Sequence, residues 1–159
     1  MASKVKAVPE GYHTVTPYLS VRNASEAIAF YERALGAKEL FRMPMPGGKV
    51  GHAELQIGDS RVMLADEFPD QPEAVAKSPK TVGGTTFGIN LYVEDVDNRF
   101  KQAVQAGGTI RRPLTTQFYG DRSGTIEDPF GHVWTLSSHV EDVSPEEMEK
   151  RMAALPKMT

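Results

Sequence analysis

The sequence predicts an α+β fold made of two tandem βαβββ modules. The chain repeats itself, because a gapless shift of 72 residues places Leu19 on Leu91 and Leu64 on Leu136. Self-similarity of this length indicates two copies of one supersecondary unit. Within each copy, hydrophobic periodicity gives the order strand, helix and three strands. A length of 159 residues and a hydrophobic fraction of 40% are those of an ordinary globular protein.

The first module is predicted over residues 13–66. Asn23 is expected to cap a helix, with Glu26 completing a capping box and Gly36 ending the helix. Alternating apolar residues and turn-forming pairs then indicate the strands. The predicted elements are a strand at 13–21, a helix at 24–35 and strands at 37–43, 50–57 and 61–66.

A segment rich in proline and glycine, 67–84, is predicted to be an exposed linker or a mobile flap. The second module is predicted over residues 85–140, with Asp95 as its helix cap. Its predicted elements are a strand at 86–93, a helix ending at residue 106 and strands at 109–114, 122–127 and 132–138. Residues 141–159 are predicted to form a helical tail, because Pro145 is well placed at the start of a helix.

Composition excludes several classes of protein. The net charge of −3 argues against nucleic acid and against an anionic membrane surface as partners. The sequence contains neither the apolar run of a signal peptide nor a stretch long enough to span a membrane. The absence of cysteine excludes disulfides, thiolate metal sites and a cysteine nucleophile. A cytoplasmic protein is therefore expected.

Three segments carry a resemblance to a known family. They are PYLSVRNASEAIAFYERALGA (17–37), GHAELQIGDSRVMLADE (51–67) and YGDRSGTIEDPFGHVWTL (119–136). Together they resemble the vicinal oxygen chelate superfamily of glyoxalases, bleomycin resistance proteins and dioxygenases, and in particular its PhnB-like branch. The resemblance implies curved mixed sheets, with helices outside and the site on the concave face. It also implies a homodimer, because a second chain commonly covers that face.

Strand alternation predicts which side chains line the concave face. In the strand at 50–57, His52 and Glu54 lie opposite the apolar residues Ala53 and Leu55, so they are expected to face the site. The repeat transfers such assignments to the second module, where it predicts that Arg122 also faces the site. The predicted ligand-binding residues are Tyr18, His52, Glu54, Met63, Asn90, Tyr92, Phe118, Tyr119, Arg122 and Thr135.

The resemblance also implies four metal-ligand positions, which fall on Thr16, Met63, Gly88 and Thr135. None of these is a usual ligand of a divalent first-row ion. The sequence therefore predicts no metal and no cofactor. His52 and Glu54 could bind a metal at a displaced site only with a third ligand.

Two functions remain open. The first is metal-independent binding of a small organic molecule, such as the sequestration of an antibiotic or a toxic metabolite in antibiotic resistance. The second is a metal-independent lyase or isomerase, with His52 or Glu54 as base and Arg122 holding an oxyanion. A metal-dependent glyoxalase or dioxygenase ranks last. Arg122 is interpreted either as an anion anchor, which could pair with Glu54 when the site is empty, or as a structural ion pair with another carboxylate.

Overall fold

A computed structural model describes residues 5–71, 73 and 76–156, and it confirms the predicted α+β fold. Two four-stranded mixed sheets have the strand orders β1-β4-β3-β2 and β5-β8-β7-β6. The first half contains β1 (Tyr18–Val21), α1 (Ala24–Leu35), β2 (Lys38–Pro44), β3 (Val50–Ile57), β4 (Ser60–Asp66) and α2 (Pro79–Val82). The second contains β5 (Gly88–Tyr92), α3 (Val96–Gln105), β6 (Thr109–Thr116), β7 (Asp121–Glu127), β8 (Val133–His139) and α4 (Pro145–Ala153).

Both sheets have the same pairing pattern. The first strand of each module runs parallel to its last strand, and the other neighbours are antiparallel. β1 begins at Tyr18, five residues later than predicted, directly after Pro17, which has no N–H to donate to a sheet. A one-turn helix, α2, lies within the segment predicted as a linker.

The predicted helix caps form. The side chain of Asn23 accepts a hydrogen bond from the backbone N–H of Glu26 at 3.3 Å. The side chain of Asp95 does the same for Asn98 at 3.0 Å, at the start of α3. Gly36 ends α1 with φ 69°, a conformation that glycine adopts at little cost. None of the helices in the described ranges is long and apolar enough to cross a membrane.

One hydrophobic core joins the two modules. α1 and α3 pack against each other, and the apolar faces of both sheets contribute to the same core. Its largest fully buried side chains include Trp134 of β8 and Tyr31 of α1, whose ring centroids are 5.4 Å apart. Trp134 and His132 are both buried. Because both helices share this core with the two sheets, the opposite faces of the sheets are turned away from it. We call these the first open face, which carries Tyr18, Glu54 and Met63, and the second open face, which carries Asn90 and Thr135.

The alternation of β7 is the reverse of the prediction. Ile126 is fully buried, and Gly124 lies against Phe100 of α3. Arg122, on the same side of the strand, forms an ion pair with Asp97 near the start of α3, with N–O distances of 2.6 and 2.8 Å. The prediction that Arg122 faces the site with Glu54 is therefore wrong.

The cause is one additional residue in the second hairpin. Leu55 pairs with Val62 across β3 and β4, whereas the corresponding pair across β7 and β8 is Ile126 with Trp134. The first pair is separated by 62 − 55 = 7 positions and the second by 134 − 126 = 8. The gapless repeat therefore fails along β7, and a shift of one residue moves every side chain of a strand to its other face.

Candidate functional site

The first open face carries a chain of hydrogen bonds between three side chains. The hydroxyl of Tyr18 lies 2.9 Å from Nδ1 of His52, and Nε2 of His52 lies 3.3 Å from Oε1 of Glu54. Sheet register produces this arrangement, because Met63 of β4 is paired with Tyr18 on one side and with Glu54 on the other. His52 follows on the same face because it is two residues from Glu54. The predicted residues Tyr18, His52, Glu54 and Met63 thus lie together.

The Glu54 carboxyl is held in its ionised form. The neighbouring hydroxyl of Tyr12 is the main cause of its lowered pKa, and His52 and Arg61 lower this pKa further. The oxygen of Tyr12 is itself buried and lacks the geometry of a completed hydrogen bond. Burial, together with the charge of Glu54, raises the pKa of Tyr12 to about 12. Glu54 therefore acts only as a hydrogen-bond acceptor, and Tyr12 remains protonated.

These protonation states determine the direction of the hydrogen bonds. An ionised carboxylate can only accept, so a neutral His52 must carry its proton on Nε2 and donate it to Glu54. Nδ1 then accepts the proton of the Tyr18 hydroxyl. The lone pairs of the Tyr18 oxygen remain available to a ligand, and burial keeps the pKa of Tyr18 above its usual value.

Apolar side chains surround this polar chain. Phe41 and Met43 of β2 pair with Glu54 and His52 and lie on the same face of the sheet. They are 51% and 43% exposed, and Tyr18 is 43% exposed, values that mark an uncovered apolar surface. The ring of Phe41 lies 6.3 Å from that of His52. The face therefore offers a polar centre with aromatic and thioether walls.

Arg61 is a cation of the first open face, and it is not among the predicted ligand-binding residues. It pairs with Gln56, which follows Glu54 on the same side of β3. Its guanidinium lies 5.5 Å from the ring centroid of Tyr12, and its Nε donates to the carbonyl of Gly11 at 3.3 Å. Strand alternation alone gives this orientation. Arg61 and Met63 are two residues apart on β4 and therefore share the open side of the strand.

The second open face carries a separate cluster around Asp121. The Tyr92 hydroxyl donates to Asp121 at 2.7 Å, and Nδ1 of His139 lies 2.7 Å from its other oxygen. Nε2 of His139 lies 2.9 Å from Asp142. His139 was not predicted as a site residue, because its position near a strand end gave no signal.

The remaining predicted residues lie on or beside the second open face. Asn90 and Tyr92 of β5 and Thr135 of β8 occupy it, and the hydroxyls of Thr135 and Thr125 are 2.9 Å apart. Phe118 and Tyr119 contact each other edge to face, and the carbonyl of Phe118 accepts from Arg151 of α4 at 3.0 Å. The two open faces point away from a shared core, so one chain does not unite the predicted residues in a single cavity.

Comparison with known proteins identifies the family. The model of the Glyoxalase/Bleomycin resistance protein/Dioxygenase superfamily matches residues 12–136. The chain belongs to this superfamily. An uncharacterized protein of Mycobacterium tuberculosis strain H37Rv is 41% identical over 140 residues, which cover 88% of this chain and 82% of the relative. Protein YjdN of Escherichia coli is 25% identical over 144 residues, with 77% of this chain and 93% of YjdN covered.

Solved structures of the superfamily's fold agree with this membership. TioX from Micromonospora sp. ML1 matches with a TM-score of 0.62 and 26% identity, covering 80% of this chain and 99% of TioX. A PhnB protein from Bacillus cereus matches with a TM-score of 0.60 and 19% identity, covering 79% of this chain and 99% of that protein, which shows a shared fold. The resemblance to the superfamily that the sequence predicted is confirmed, and the PhnB protein shares the fold of this chain.

The residues at the superfamily's metal positions do not fit a metal ion. Threonine hydroxyls at 16 and 135 are poor ligands, the Met63 thioether is soft, and Gly88 has no side chain. Around His52 and Glu54, the neighbouring Tyr12, Tyr18 and Arg61 add no further carboxylate or imidazole. Across residues 5–71, 73 and 76–156, no three His, Asp or Glu side chains are grouped to hold a metal. Metal independence remains a prediction.

Proposed function

We propose that this superfamily member binds a small organic molecule on its first open face, without a metal, and thereby sequesters it. The observation that carries this proposal is the Tyr18–His52–Glu54 chain, which lies on the first open face beside the exposed side chains of Phe41 and Met43. Binding sites for small molecules combine a few oriented polar groups with apolar and aromatic walls. An antibiotic or a toxic metabolite with a planar apolar body and one polar group would suit such a surface.

A second copy of the chain would complete the site. The first open face is uncovered in the single chain, with Phe41 half exposed. The second open face is uncovered in the same way, with Tyr92 60% exposed. In a homodimer, the second open face of one protomer would cover the first open face of its partner, which would bring both sets of predicted residues to one ligand.

The second candidate function is a metal-independent lyase or isomerase. The observation that favours it is the direction of the hydrogen bonds, because an ionised Glu54 orients His52, and His52 in turn orients the Tyr18 hydroxyl. A carboxylate that fixes the tautomer of an imidazole is a recurrent arrangement in general acid–base catalysis. In this case the Tyr18 oxygen would take a proton from the bound molecule while its own proton passes to Nδ1 of His52, so that His52 acts as the base, or Glu54 would take the proton directly.

One experiment tests binding and turnover separately. A library of planar antibiotics and metabolites is screened by thermal shift, because a ligand at about 100 times its Kd stabilises the native state by about 2.7 kcal/mol. Hits are then titrated into wild type, His52→Ala, Glu54→Ala and the control Glu32→Ala, which removes an exposed glutamate of α1 and alters neither open face. If His52→Ala and Glu54→Ala lose binding while the control variant retains it, the first open face is supported as the site. Equal binding by all variants contradicts it, and mass spectrometry of the recovered ligand decides between sequestration and turnover.

A further inference from the structure

The donors of Arg61 are only partly used. Its Nε donates to the carbonyl of Gly11, and the guanidinium rests against the ring of Tyr12 at 5.5 Å. Within the described residues, neither Nη1 nor Nη2 forms a hydrogen bond, and no carboxylate lies within ion-pairing distance of this side chain. By contrast, Arg122 and Arg151 are each engaged by carboxylates.

The N-terminal segment fixes the position of this guanidinium. Gly11 has φ +80°, and a Cβ atom there would lie 2.4 Å from Nη2 of Arg61. Glycine adopts this conformation readily and leaves the guanidinium room to pack directly on the backbone. The contact with Gly11 and the ring of Tyr12 therefore hold the planar group in place before any ligand arrives. A planar guanidinium with two free nitrogens matches the geometry of a carboxylate.

We propose that Arg61 anchors a carboxylate, so that the ligand of the first open face is a small organic anion with an apolar body. This inference rests on the function proposed above. Glu54 is negatively charged and would repel an anion placed beside His52, so Arg61 is the position for the charge. The apolar part of the ligand would then contact Phe41 and Met43, while the Tyr18 oxygen accepts from any donor that the ligand carries.

The test compares an acid with its uncharged amide. 3-Phenylpropionate and 3-phenylpropionamide have the same apolar body and differ only in charge. Each is titrated into the wild-type protein while the ring signals of His52 are followed by NMR. We expect saturable binding of the acid and at least ~10-fold weaker binding of the amide, because charge-assisted hydrogen bonds are the stronger kind. Equal affinities, or no saturable binding of the acid, would overturn the proposal.

Variants assign the effect to Arg61. Arg61→Gln should weaken binding of the acid by about tenfold or more and leave binding of the amide unchanged. Arg61→Lys should retain part of the preference for the acid. Arg111→Gln is the matched control, because Arg111 pairs with Glu127 in the other module. If Arg61→Gln weakens both ligands equally, the anchor is wrong. If acid and amide shift the His52 ring signals with equal affinity in the wild-type protein, Arg61 does not anchor a carboxylate, but the proposed binding site stands.

Discussion

At the scale of single residues, His139 is the side chain whose charge is most clearly coupled to folding. Its two ring nitrogens face Asp121 and Asp142, and both can donate only when the imidazole is protonated. Hydrogen bonds to Asp121 and then to Asp142 raise the pKa of His139. Burial raises the pKa of Asp121, but hydrogen bonds from His139 and Tyr92 outweigh it, so the net pKa is lowered and the carboxylate stays charged near neutral pH.

The stability contributed by His139 should decrease at alkaline pH. A group whose pKa is higher in the folded state contributes its full stabilisation of the fold at pH values below its unfolded pKa, which is about 6.5 for histidine. This stabilisation is lost as the pH rises through the folded pKa. We therefore expect His139→Gln to lower Tm more at pH 6 than at pH 9. His13→Gln, which alters an exposed histidine near the N-terminus, is the control. An equal loss of Tm at both pH values would contradict the coupling.

The tautomer of His52 is a second prediction at this scale. Because Glu54 is ionised and only accepts, the neutral imidazole should carry its proton on Nε2. The 15N chemical shifts of the ring, recorded at alkaline pH, distinguish the two tautomers. Tyr18→Phe should preserve the Nε2–H form, whereas Glu54→Leu should remove the preference. A dominant Nδ1–H form in the wild-type protein would refute the assigned direction of the hydrogen bonds.

At the scale of elements, the turn between β7 and β8 connects the two modules through Asp128. One oxygen of this buried carboxylate accepts from the backbone N–H groups of Phe130 and His132, each at 2.9 Å. The other accepts from the Tyr31 hydroxyl at 2.7 Å and from Trp134 Nε1 at 2.9 Å. Since Tyr31 belongs to α1 of the first module, this turn holds a helix of one module against a hairpin of the other.

Asp128→Asn should therefore destabilise the whole fold. Asparagine would replace one carboxylate oxygen, which accepts two hydrogen bonds, with an amide nitrogen, which can only donate. An unsatisfied buried donor costs about 1–3 kcal/mol. We expect a loss of about 2–4 kcal/mol in urea denaturation with an unchanged m-value. Asp59→Asn, in the exposed turn of the first hairpin, is the matched control and should cost under about 0.5 kcal/mol. If Asp128→Asn also cost less than about 0.5 kcal/mol, the turn would not hold the two modules together.

The same hairpin shows how far the sequence could predict the structure. Local signals worked well, because caps at Asn23 and Asp95 and alternation in β3 depend on near neighbours. Arg122 was misplaced because its orientation depends on one extra residue in a turn, which the gapless repeat concealed. Arg61 and Tyr12 meet across 61 − 12 = 49 positions of chain, a contact that no periodicity reveals. The polar chain of the first open face and the orientation of Arg61 could therefore be predicted, but the contact between Arg61 and Tyr12 could not.

At the scale of the whole molecule, the two open faces point away from one another. α1 and α3 pack together at the shared core, so the side chains of the first open face cannot reach those of the second within one chain. Within the described residues, each sheet also has two edge strands, which are β1 and β2 in the first sheet and β5 and β6 in the second. Uncovered sheet edges and apolar surfaces are features that natural proteins usually protect.

A homodimer would protect these surfaces, and it is the final prediction. Phe41 and Met43 would be buried beneath the partner's second open face, so placing a charge among them should prevent association. We expect light scattering of the wild-type protein at micromolar concentration to give about twice the chain mass of 17.5 kDa. Phe41→Glu should give the mass of one chain with an unchanged circular dichroism spectrum. Val82→Glu, at an equally exposed apolar residue of α2, should remain dimeric. A monomeric wild-type protein, or dissociation by both variants, would show that the first open face is not covered in this way, and the ligand would then have to bind to one sheet alone.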